Sequence, residues 1–208
     1  MPYRLWIWRE GYIYKLTPGL EIVKHCYFPL RDMGYDHIGG LDFHEGNIYA
    51  ALEDMMYKEP RVISFDQELE VKTHSILPEL RHFSWIAIDG GLLYTSEFDP
   101  CREIKVYSSY SDPEASLEGS IRLDRTLHKV QGGCFYKGEL YLSCDDEGKA
   151  IYRVNTAGRV TKVIDTRIET EMEDLHINDK GDVYFIDHQG NLWVFVKLCD
   201  QRLVMGES

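Results

Sequence analysis

The feature that most constrains this chain is a repeat of about forty-five residues. Four segments align: GLDFHEGNIYAALED from Gly40, WIAIDGGLLYTSEFD from Trp85, GGCFYKGELYLSCDD from Gly132 and DLHINDKGDVYFIDH from Asp174. Tyr49, Tyr94, Tyr141 and Tyr184 mark the register, 45, 47 and 43 residues apart. Gly46, Gly91, Gly138 and Gly181 precede them at the same three spacings. Each unit reads as an alternating strand, a glycine turn and a second alternating strand, which is the pattern of a β-hairpin. A second column follows in VISF (62–65), IKVY (104–107), IYRV (151–154) and LWVF (192–195), with IYKL (13–16) as a fifth member near the chain start. A third contains LEIVKHC (20–26), LEVKTHS (69–75), SIRL (120–123) and VTKVID (160–165).

Four short strands per unit of this length are expected of an all-β propeller, in which each unit is one antiparallel blade. Nothing in the chain sustains the 3.6-residue period of a helical solenoid. With strands named A to D from the axis outward, the expectation is a single domain over 1–208. It has about five four-stranded blades, at approximately 1–30, 36–80, 81–125, 128–168 and 170–208. The first unit supplies B (4–8), C (12–16) and D (20–27) but no A strand. Residues 202–205 are expected to close the ring with the N-terminal strands, as the last D strand or as the missing A strand. Closure matters because an open sheet edge exposes unpaired backbone groups. The segment SSYSDPEASLE (108–118) reads as an irregular surface loop.

Composition narrows the function. The chain has 23 Lys and Arg against 35 Asp and Glu, a net charge of −12. That balance argues against nucleic acid and anionic membrane as partners, because both require a basic surface. No run approaches the length of a membrane span, and the start, MPYRLWIWREGYIYKL, lacks the apolar core of a secretory signal. The five cysteines form no CxxC pair, so buried thiols in a reducing cytoplasm are expected rather than a disulfide frame or zinc ribbon.

Propeller geometry sorts the polar residues. Strand-A starts and B–C connections share the face around the channel mouth. There the chain places His37, Arg81, His82, His128, Gln131, Glu171 and Glu173 with Glu53, Glu97, Asp99, Asp145, Asp187 and His188. The opposite face carries ordinary turn residues. His37 and His82 occupy equivalent places in adjacent units and could ligate a divalent metal with Glu173. They could equally hydrogen-bond neighbouring blades. An all-oxygen Ca²⁺ site could instead draw on Glu53, Glu97, Asp145, Asp187 and Glu173. The acidic rim either satisfies turn backbone or attracts a cationic ligand. Trp6, Trp8, Trp85 and Trp193 read as packing between blades, with Trp85, beside Ser84, as a candidate ligand contact. No GxSxG elbow, P-loop or HExxH motif is present.

The segment EDLHINDKGDVYFIDHQGNLWVF (173–195) resembles an NHL-type blade, in which a Gly-x-Val-Tyr strand ends in Asp. By strand pattern the chain is similar to the six-bladed superfamily of NHL repeats and gluconolactonase-like calcium hydrolases, with one blade fewer. That resemblance implies metal-ligand positions at Glu173 and Asp187, while the family's Asn ligands have no counterpart in the aligned columns. Two functions follow. The leading one is a binding module whose mouth face (His37, His82, Trp85, Gln131, Glu173, Glu97, Asp145 and Asp187) takes a protein or small ligand. The alternative is a metal-dependent hydrolase or lactonase. A monomer, or a homo-oligomer that completes the ring, fits either.

Overall fold

A computed structural model describes residues 5–9, 12–17, 21–27, 34–35, 37–53, 59–189 and 192–195. Of residues 5–9, 37 and 193–195 only the backbone is described. All regular structure among the described residues is β, in five antiparallel sheets. No helix there is long and apolar enough to cross a membrane.

Sheet one is β1 (Leu5–Arg9), β2 (Tyr12–Leu16) and β3 (Ile22–Tyr27). Sheet two runs β4 (His37–His44), β5 (Asn47–Glu53), β6 (Arg61–Phe65) and β7 (Val71–Ile76). Sheet three is β8 (Ala87–Asp89), β9 (Leu92–Thr95), β10 (Cys101–Ser108) and β11 (Ser116–Leu127). Sheet four is β12 (Val130–Tyr136), β13 (Glu139–Cys144), β14 (Ala150–Val154) and β15 (Val160–Asp165). Sheet five is β16 (Met172–Ile177), β17 (Val183–Asp187) and β18 (Leu192–Phe195). Strands pair in chain order within every sheet. The register follows the repeat: Asp42 faces Tyr49, Ala87 faces Tyr94 and Cys134 faces Tyr141. No strand among the described residues joins the first sheet to the last, and residues 202–205 lie outside them.

The core lies between successive sheets. Ile13 of sheet one packs with Ile38, Ile48 and Ile63 of sheet two. Tyr49 and Val62 pack with Leu93 and Tyr107 of sheet three and with Ile86 just before it. Ile104 and Leu123 pack with Leu140 and Val154 of sheet four, and Cys134 and Ile164 pack with Leu175 and Val183 of sheet five. Each such aliphatic side chain removed from water contributes about 1.5–3 kcal/mol.

The inner strands approach closely because two glycine pairs leave room. A side chain on Gly133 would overlap the Trp85 ring, and one on Gly132 would meet the backbone of Leu175. A Cβ on Gly40 would lie 2.9 Å from Asp174 Oδ1. Gly40 N–H donates to Ser84 O at 2.6 Å. Two carboxylates staple the inner strands across sheets: Asp42 Oδ2 accepts Ile88 N–H at 2.6 Å, and Asp174 Oδ2 accepts Leu41 N–H at 3.1 Å.

The irregular segment expected after β10 is present but shorter than 108–118, because β11 already begins at Ser116, and it is tied down. Residues 109–115 fold back on the outer strand of sheet two as a strap. Ile76 N–H donates to Pro113 O at 3.0 Å, Ala115 N–H donates to Ile76 O at 2.9 Å, and Ser75 Oγ donates to Asp112 O. Tyr110 stacks edge-on against Tyr49 with centroids 5.3 Å apart. These partners are distant in sequence, so no local pattern announces them. On its other side β11 meets the turn of sheet four: Asp124 N–H donates to Gly158 O at 2.9 Å, and Val160 N–H donates to Asp124 Oδ1 at 3.0 Å.

Candidate functional site

One backbone device repeats around the rim at the strand-A starts. His37 is the register partner of Glu53. Phe98 N–H donates to His82 O at 2.8 Å, Asp145 N–H to Lys129 O at 2.8 Å and His188 N–H to Glu171 O at 2.9 Å. The chain leaving the second strand of sheets three, four and five is thereby fastened beside the start of the first. Acidic residues after strand B consequently stand next to the histidines and carboxylates of strand A.

Their side chains fall into three groups. The first joins sheets two and three. Glu53, only 4% exposed, accepts the His82 Nε2–H through Oε2 at 2.8 Å. The Glu97 carboxylate accepts the backbone N–H groups of Arg81 and His82 at 2.9 and 3.1 Å, and Phe98 lies 4.8 Å from the His82 ring. A cleft of about 10 Å³, room for a single water, is lined by Glu53, Glu59, Arg81, His82 and Phe83 among others.

The second group is a set of ion pairs. Asp145 is buried and pairs with Lys149 and, at 3.9 Å, with Lys129. His128 Nδ1 lies 2.7 Å from Asp99 Oδ1.

The third group lies where sheets four and five meet. Gln131 Nε2 donates to Glu171 Oε1 at 2.9 Å, and His188 Nδ1 lies 3.2 Å from Glu173 Oε1. Thr170 Oγ1 donates to Asp187 Oδ2 at 3.0 Å, and Asp187 is 1% exposed. Glu171, Glu173 and His188 each offer a ligand atom within 4.8 Å of the other two. The His188 side chain is 75% exposed, so this group opens to solution.

The expected residues are therefore divided among different neighbours. His82 bonds Glu53, whereas Glu173 bonds His188, and the side chain of His37 lies outside the described residues. Trp85 sits inside the core, fully buried, with its indole N–H donating to Ser96 Oγ at 3.0 Å. Glu171 and His188 were on the expected rim but were not joined to Glu173. The signal available was spacing: Glu171 and Glu173 are two apart where the chain extends into β16, a separation that puts side chains on one face.

Thiol chemistry finds no support at the three buried cysteines. Burial pushes the Cys101 thiol up to about 11 and the Cys134 and Cys144 thiols well above their usual range. Such thiols are poor nucleophiles at neutral pH.

No family model and no curated protein matches the chain by sequence. Solved structures do match by shape. The chain is similar to the structure of a nidogen/laminin complex at TM-score 0.60 and 15% identity, covering 94% of this chain and 78% of that one. It is similar to a catalytically inactive virginiamycin B lyase from Staphylococcus aureus, solved with quinupristin, at TM-score 0.54 and 14% identity, covering 95% of this chain and 67% of that one. A streptogramin B lyase gives TM-score 0.54 at 11% identity, with 94% and 66% covered. The chain thus spans about two thirds of the length of the lyases it matches. At these identities the likeness concerns fold alone, and that fold is β-propeller-like.

Proposed function

We propose that the chain is a single-domain propeller of five blades, closed by its terminal strands, that acts as an interaction module. Its mouth face would take a protein or small ligand of cationic character. The observation that carries this reading is the open Glu171–Glu173–His188 group on a rim that also holds Glu97 and Asp99. A concentration of one sign of charge on one face draws ligands of the other. Support by analogy comes from the nidogen/laminin complex, whose match here is of the same fold type. A ten-residue lysine peptide is a suitable probe by calorimetry at low salt. Exchanging Glu171 and Glu173 for Gln together is expected to weaken binding on the order of tenfold, while Glu45→Gln on the opposite face leaves it unchanged. Equal effects from both faces would contradict the reading.

A second reading, a metal-dependent hydrolase, is favoured by the same three donors. Two carboxylates and an imidazole suit Mn²⁺ or Zn²⁺ better than Ca²⁺, which takes roughly six to eight oxygens. When bound, such an ion would polarise a carbonyl or activate a water. Gln131 would hold Glu171 in place through its 2.9 Å hydrogen bond. A thermal shift on adding Mn²⁺, reversed by EDTA and absent in Glu173→Gln, is the expected result. Indifference to both reagents would remove this reading.

A further inference from the structure

The four inner strands β4, β8, β12 and β16 form a circuit of direct contacts. Asp42 Oδ2 on β4 accepts Ile88 N–H on β8 at 2.6 Å. Ser84, just ahead of β8 in the chain, donates its hydroxyl to Val130 O on β12 at 2.7 Å. Gly132 on β12 lies against the backbone of Leu175 on β16, so closely that a side chain there would strike it. Asp174 Oδ2 on β16 accepts Leu41 N–H on β4 at 3.1 Å, which brings the circuit back to its start. None of the three strands of sheet one takes part in these four links.

Sheet one is attached to this circuit from outside. Ile13 packs into the cluster of Ile38, Ile48 and Ile63 on sheet two, with Cys26 beside it. Lys15 Nζ donates to Gln67 O at 2.9 Å and Lys24 Nζ to Glu68 Oε2 at 2.8 Å, both in the turn that joins β6 to β7. The second of these is an exposed ion pair, of a kind that contributes little. On its outer strand Ile22, Val23 and Tyr27 meet solvent. A unit attached outside a connected core can open while that core stays folded.

We propose that sheet one is a lid on sheet two. It opens as a unit, with the inner circuit intact, and uncovers the apolar strip of Ile38, Ile48 and Ile63 that Ile13 now covers. The lid is separate from the mouth group, because Glu171, Glu173 and His188 belong to neither sheet one nor sheet two.

The test is amide hydrogen exchange of the full chain at low denaturant concentrations, corrected for intrinsic exchange rates. β2 is paired on both sides within sheet one, and β14 is paired on both sides within sheet four, so their amides report the two openings. In the wild type, β2 amides should exchange on the order of 100-fold faster than those of β14, with a shallower dependence on denaturant. Leu140→Ala, in the core between sheets three and four, destabilises the closed and the lid-open forms alike. It should therefore speed exchange at β14 on the order of 100-fold and leave β2 unchanged. Equal acceleration at β2 and β14, or a β2 denaturant slope matching that of β14, would overturn the proposal. If Leu140→Ala does not fold, Ile104→Val makes a smaller cut in the same core, with acceleration of about fivefold expected at β14 and none at β2.

Discussion

The middle sheets and the end sheets of this molecule are built from the same repeat but are held differently. Sheets two, three and four have four strands each, and their outer parts are clasped to one another. The 109–115 strap covers β7, and the Gly158 turn of sheet four bonds β11. Sheets one and five show three strands among the described residues. Sheet one packs one face on sheet two through Ile13, but its outer strand leaves Ile22, Val23 and Tyr27 more than half exposed. Its other face carries Tyr12, Tyr14, His25 and Tyr27, with ring centroids 5.1–6.0 Å apart. The repeat supplies strands everywhere, whereas stability depends on contacts between units that the repeat does not encode.

Substitutions can break this contrast, and the largest effect belongs at the axis. Gly133→Val would drive a branched side chain into the Trp85 ring, which is fully buried and has no room to withdraw. Overpacking of this kind costs about 3 kcal/mol or more, so the variant should lose most of its cooperative denaturant transition. Gly119→Ala on β11 meets open space and should change the midpoint by under ~0.5 kcal/mol. Next is the strap. Tyr110→Ala removes a ring that is 8% exposed and should cost about 3 kcal/mol. Tyr27→Ala in sheet one, 54% exposed, should stay within about 0.5 kcal/mol. Comparable costs at Tyr110 and Tyr27 would erase the distinction between clasped and end sheets. A smaller loss than at Gly133 or Tyr110 belongs to a turn. Asn155 Oδ1 accepts the N–H groups of Ala157 and Arg159, each at 3.0 Å. Asn155→Ala should cost about 1 kcal/mol in equilibrium unfolding.

Much of the strand layout was legible because alternation and turn glycines are local signals. Sheet one was expected to lack an inner strand, and its three described strands fall within a residue or two of the expected limits. Gly39–Gly40 and Gly132–Gly133 were visible as pairs on strand A. That Gly133 seats Trp85 was not, because which ring crosses a glycine is a tertiary fact. The docking of the 109–115 loop was not legible for the same reason: its partners Ser75 and Ile76 are over thirty residues away. Asp42 looks like any polar residue alternating along a strand. At the mouth, sequence placed the acids and histidines on one rim but could not choose their partners. His82 was offered either a metal site with Glu173 or a hydrogen bond to a neighbouring blade, and its 2.8 Å contact with Glu53 is of the second kind.

The central claim is that cationic ligands gather at the mouth, at the junction of sheets four and five. Paramagnetic broadening of amide signals by sub-stoichiometric Mn²⁺ locates such gathering directly. The account predicts strongest broadening at Glu171, Glu173 and His188, weaker effects around Gln131, and none at the opposite turns near Glu45, Gly91, Lys137 and Lys180. Broadening centred on those opposite turns, or spread evenly over the acidic surface, would contradict it.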